Sequence, residues 1–178
     1  MLRSLRIPSR PVTGLAASAL VAALLSAGGS GKTPLVLLND SPSEPTGLYL
    51  LTRKRIESGR LVAFHTPSEA FPYADHHHPM LRRHPILKEV AASSGDEVCT
   101  TSNRLVINAT YRARIANEDR FGETLPHWRQ CRRLSRDELF VFSNRIPQSF
   151  DSRYYGPIRQ SQVIGVYQLI LPLSLGAS

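Results

Sequence analysis

A serine sits between two prolines in Ser41-Pro42-Ser43-Glu44-Pro45, and a lysine lies inside the apolar run Ile86-Leu87-Lys88-Glu89-Val90. A Gly95-Asp96 pair follows, and further on comes Ser149-Phe150-Asp151-Ser152-Arg153-Tyr154-Tyr155-Gly156. The chemistry these residue types could do is attack on an acyl carbon by a serine, with a lysine as the base and no catalytic histidine. A serine hydroxyl is a weak nucleophile until a base takes its proton. A lysine serves as that base only where its surroundings bring its pKa from about 10.4 toward about 7–8. The prolines flanking Ser43 restrict the backbone and could hold the hydroxyl in one direction. Taken alone, the pentapeptide reads as an ordinary Ser/Pro turn.

Strand parity bears on the lysine. Side chains alternate along a strand, so Ile86, Lys88 and Val90 share one face while Leu87, Glu89 and Ala91 share the other. An apolar face disfavours the ammonium and lowers its pKa; the alternative is a lysine whose head reaches the surface. The segment is one of six that read as strands, at 47–51, 61–65, 86–91, 104–108, 139–143 and 163–171, separated by Gly, Pro, Ser and Asn. A short apolar run, Pro34-Leu35-Val36-Leu37-Leu38, ends in the turn-forming cluster Asn39-Asp40-Ser41-Pro42. The Pro-rich stretch 67–85 reads as loop, and nothing after residue 31 holds a sustained helical period. The expectation is a mainly β, barrel-like domain preceded by one hydrophobic helix.

A chain of 178 residues suits one domain with a core of ordinary size. The net charge of +8 is scattered over Arg53-Lys54-Arg55, Arg82-Arg83 and Arg132-Arg133. No nucleic-acid motif accompanies it, so a basic surface near phospholipid headgroups is the favoured reading and no nucleic-acid partner is expected. Arg3, Arg6 and Arg10 precede an uncharged stretch over 11–31 whose centre is rich in Ala, Leu and Val. That is just long enough for a bilayer, which takes about 20 residues. A retained anchor over 1–31 is preferred to a signal peptide cut near Ser26-Ala27-Gly28. Either way residues 32–178 are exported. Export would allow Cys99 and Cys131 to pair; in a reducing compartment they would be two free thiols.

In this order the segments resemble the Ser/Lys-dyad signal peptidases, or leader peptidases. Ser41-Pro42-Ser43 is similar to the nucleophile box of that family, and Gly59-Arg60-Leu61-Val62-Ala63-Phe64 to its second box. Leu87-Lys88-Glu89-Val90-Ala91-Ala92 with Gly95-Asp96 resembles the base-lysine box, and the run from Ser149 to Gly156 the last one. Four boxes in the right order are specific where any single one is weak. The TraF-type conjugal-transfer peptidases fit better still. Their nucleophile box is similar to Asn39-Asp40-Ser41-Pro42-Ser43-Glu44-Pro45-Thr46-Gly47-Leu48-Tyr49, and Trp128-Arg129-Gln130-Cys131-Arg132-Arg133-Leu134 also resembles that subgroup.

The resemblance implies a signal-peptidase-like β catalytic domain in the periplasm, held at a bacterial inner membrane. It implies that Ser43 attacks the scissile carbonyl and that neutral Lys88 takes its proton and passes it to the leaving amine. The Ser43 N–H and the Ser41 hydroxyl would stabilise the oxyanion, about 2.7–4 kcal/mol per donor in a serine protease. Ser149 would hydrogen-bond and orient the lysine, and Asp151 with Arg153 would form a supporting ion pair. The implied partner is a pilin-like or other exported precursor, hydrolysed or cyclised for conjugation or type IV secretion. Glu44 departs from the general family, which commonly has Met there.

Two other signals are discounted. Gly28-Gly29-Ser30-Gly31-Lys32-Thr33 lacks the first glycine of a phosphate-binding loop, having Ser26 at that place. His76-His77-His78, with His65 and His84, show no ligand spacing on a helix. No metal and no cofactor are expected. Two rival functions stand beside the leading one: a general type I signal peptidase, and a catalytically silent relative that binds or scaffolds within a secretion complex.

Overall fold

The computed structural model describes residues 33–77 and 79–173. Their strands form two antiparallel sheets. The larger has seven strands in the order β1–β2–β11–β3–β4–β9–β10, and the smaller four, in the order β7–β6–β5–β8. The large sheet comprises β1 (Val36–Asn39), β2 (Gly47–Thr52), β3 (Leu61–Phe64), β4 (Ile86–Ala92), β9 (Glu138–Phe142), β10 (Ile158–Arg159) and β11 (Val163–Pro172). The small one comprises β5 (Glu97–Cys99), β6 (Arg104–Ile107), β7 (Thr110–Arg114) and β8 (Cys131–Arg133). The mainly β expectation holds, and all six expected segments are strands. The stretch 67–85 carries a five-residue helix, Tyr73–His77, between two 3-10 turns. The anchor or signal segment over 1–31, the Gly28–Lys32 part of the glycine-rich run and His78 lie outside the described residues. Among the described residues no helix is long and apolar enough to cross a membrane.

Hydrophobic parity places the core. Along β9, Leu139 and Val141 join one cluster with Val62, Phe64, Ile86 and Val90, while Phe140 and Phe142 join another with Ala92, Val98 and Leu105. β9 is therefore buried on both faces, which its uninterrupted Leu-Phe-Val-Phe run reflects. Each such side chain contributes about 1.5–3 kcal/mol through burial. The last strand, β11, inserts between β2 and β3 and thereby joins the last described strand to two of the first. Gly47 permits that crossing: a Cβ there would run into the Leu171 carbonyl oxygen.

Cys99 and Cys131 form a disulfide between β5 and β8, where they stand opposite in the register. Closing a loop of this length contributes about 2–4 kcal/mol, through the unfolded state in the chain-entropy view. Replacing both by Ser should lower unfolding stability by about that amount, read as a lower urea midpoint, with a slope that rises as the uncrosslinked unfolded chain expands. A midpoint equal to wild type would contradict it.

Candidate active site

The nucleophile-box loop joins β1 to β2, and its non-reactive residues hold it in shape. Asn39 Nδ2 donates to the carbonyls of Ser41, Glu44 and Pro45 at 3.0, 3.2 and 3.1 Å. The Ser41 N–H donates back to Asn39 Oδ1 at 3.3 Å. Tyr49, fully buried, donates its hydroxyl to the Pro45 carbonyl at 2.6 Å. Asn39, Gly47 and Tyr49 are thus staples of a tight loop. Loop carbonyls left without such partners would cost free energy on burial.

This loop lays Ser43 over the middle of β4. Lys88 stands there on the face of Ile86 and Val90, which pack in the main core, while Leu87 packs on the opposite side with Tyr49, Ala63 and Tyr167. Lys88 is 4% exposed and Ser43 is 3% exposed. Lys88 Nζ is in hydrogen-bond contact with Ser43 Oγ. Burial holds the Lys88 pKa below the ordinary lysine value; Asp151 and Glu44 pull it back up, and Arg153 lowers it further. An amine that resists protonation and touches a hydroxyl is an arrangement able to remove the hydroxyl proton.

Ser41 lies on the other side of the nucleophile. Its Oγ is 3.0 Å from Ser43 Oγ, and it accepts a 3.4 Å hydrogen bond from the Ser43 N–H. The two oxyanion candidates are therefore hydrogen-bonded to each other in this structure, the Ser43 N–H being directed at Ser41 Oγ. Asp151 and Arg153 make a buried two-pronged pair, Nε to Oδ1 at 2.7 Å and Nη2 to Oδ2 at 2.9 Å. The guanidinium also donates to the Ser149 carbonyl at 2.8 Å. Ser149 differs from expectation. Its Oγ is buried with no hydrogen-bond partner, so it makes no hydrogen bond to Lys88 in this structure. The amine is engaged by Ser43 instead, and Ser149 is held through its backbone, its N–H donating to Ile146 and its carbonyl accepting from Arg153.

A family model for signal peptidase, peptidase S26, matches residues 13–172. The chain belongs to the S26 signal peptidase family. It is similar to two plasmid transfer proteins TraF of Escherichia coli. One is 29% identical over 151 residues, covering 75% of this chain and 81% of the relative. The other is 27% identical over 181 residues, covering 93% and 98%. A crystal structure of a signal peptidase I from Enterococcus faecalis V583 is similar at 19% identity with a TM-score of 0.42, covering 65% of this chain and 98% of that one.

Two further residues stand out in this S26 member. Glu44 is 5% exposed rather than turned to solvent. Burial pushes its carboxyl up to about 7, against the opposing pull of Lys88, and Oε1 has no hydrogen-bond partner. Ser143, directly after β9, donates its hydroxyl to the Ser43 carbonyl. Its sequence gives no sign of this, because the contact joins residues far apart in the chain. Of the discounted histidines, His77 pairs with Glu123 at 2.7 Å and stacks on Tyr73.

Proposed function

We propose that the protein is a membrane-associated serine endopeptidase in which Ser43 is the nucleophile and Lys88 the general base, and that it matures an exported, pilin-like precursor for conjugation or type IV secretion. The observation that carries the chemistry is the buried contact between Lys88 Nζ and Ser43 Oγ. Neutral Lys88 takes the hydroxyl proton as Oγ attacks the scissile carbonyl, then delivers it to the departing amine. The acyl-enzyme is released by water, or by an amine where the product is cyclised. The Ser43 N–H, which donates to Ser41 Oγ in this structure, and the Ser41 hydroxyl turn to the developing oxyanion when substrate is bound. The TraF relatives support the conjugative setting, and the hydrophobic stretch over 11–31 supports a place at the inner membrane with the catalytic domain outside.

Co-expression in membranes with a pilin precursor from a conjugation system, beside an unrelated exported precursor, tests the assignment. Cleavage of the pilin precursor alone is the expected outcome. Cleavage of both would make this a general signal peptidase. Cleavage of neither would make it a binding or scaffold component.

Glu44 gives a second test. The acid limb of kcat/KM reports the base in the free enzyme, which must be neutral to act. Ionised Glu44 raises the Lys88 pKa. Glu44→Gln removes that stabilisation of the ammonium, so the acid limb should move to lower pH. A limb that stays put, or moves up, would separate Glu44 from the base.

A further inference from the structure

All three polar groups of Ser43 are held. Its N–H and Oγ face Ser41 and Lys88, and its carbonyl is held by Ser143. The third contact comes from a different part of the chain. Ser143 is buried at the end of β9, the strand beside β4. Its hydroxyl donates to the Ser43 carbonyl and accepts from the Arg145 N–H at 3.3 Å, which fixes the direction of the hydroxyl proton. Its own N–H donates to Asp151 Oδ2 at 3.3 Å, and Asp151 is clamped by Arg153. A continuous chain of contacts therefore runs from the buried ion pair through Ser143 to the backbone of the nucleophile.

The geometry points to Ser143 as a positioning residue for Ser43, an inference that rests on the Ser43/Lys88 reading above. Holding the Ser43 carbonyl fixes the peptide plane that follows the nucleophile. With the N–H side already set by the stapled loop, this determines where Oγ sits against Lys88. Asn39 fixes the loop as a whole, whereas Ser143 fixes Ser43 against the strands that carry the base and the ion pair. A displacement of about 1 Å in such a group can lower a rate by about 100-fold.

The test uses the full chain in membranes or detergent, with a precursor peptide bearing small residues before the scissile bond. Ser43→Ala is run first: if cleavage persists, the nucleophile assignment fails regardless of Ser143. With that assignment standing, Ser143→Ala should lower kcat by about 10- to 100-fold with KM little changed and the acid limb of the pH profile unmoved. A merely structural role would hydrate Lys88 and carry the acid limb upward. Ser143→Thr and Ser143→Val supply a pair of equal shape that differs in the hydroxyl, so a poorly folded alanine variant does not end the test. Thr should be at least several-fold faster than Val. Equal kcat in Thr and Val, a loss confined to KM, or an acid limb displaced upward would each overturn the inference.

Discussion

Ser43→Ala and Lys88→Met should each lower kcat/KM for precursor cleavage by ~10⁴-fold or more, because nucleophile and base act as one unit. The same two changes should leave the fold intact. For Lys88 the sign of the stability effect follows from its depressed pKa. An amine whose folded pKa lies below its unfolded value of about 10.4 binds its proton less readily in the folded state. Its contribution to stability is most favourable above the unfolded pKa and is lost as pH falls through the folded pKa. Near neutral pH, burying Lys88 therefore has a cost that Met, unbranched and uncharged, does not carry. Lys88→Met should unfold in urea at a midpoint equal to or above wild type, with its advantage fading as pH approaches about 10. Cleavage that survives either substitution would sink the Ser43/Lys88 assignment. A strongly destabilised Lys88→Met would instead mean that the lysine holds the core together.

That trade of stability for chemistry was legible in the sequence to the extent that it depends on local pattern. Parity along 86–91 puts Lys88 with Ile86 and Val90, and neighbouring strands on both sides of β4 make that face interior. The six principal strands were legible for the same reason, since each buries a run or an alternation of apolar side chains. β5, β7, β8 and β10 were not. They are two to five residues long, and Thr-Tyr-Arg-Ala-Arg and Cys-Arg-Arg hide any apolar period because most of their side chains face solvent. The site divides along the same line. Ser41, Ser43 and Glu44 are local, but the burial of Glu44 depends on the strand that Ser43 covers. The Glu89 backbone, in β4 itself, lies near enough to the Glu44 carboxyl to oppose the rise that burial causes in its pKa. Ser143 and the partnerless hydroxyl of Ser149 depend on how the end of β9 meets two loops, a geometry with no signature in residue spacing.

The buried pair at that meeting point sets the other large effect. Asp151→Ala should reduce unfolding stability by about 3–5 kcal/mol, the usual consequence of leaving one member of a buried ion pair uncompensated. Asp151 is fully buried, and Arg153 is only 2% exposed, so its charge has little access to solvent where it stands. The guanidinium also donates to the carbonyls of Ser149 and Arg114, so its displacement loosens both the last box and the edge strand β7. Arg153→Met in the Asp151→Ala background removes the stranded cation and should restore part of the loss; a double variant no better than the single would mean that packing rather than charge dominates. Asp151 also raises the Lys88 pKa, and an unpaired Arg153 lowers it. The residual activity of Asp151→Ala should therefore show its acid limb at lower pH than wild type, even as the fold weakens. General loosening predicts the opposite, because a hydrated lysine drifts back toward its ordinary value. Urea unfolding and the pH profile of one variant thus move in directions that only an electrostatic link between Asp151, Arg153 and Lys88 would produce together.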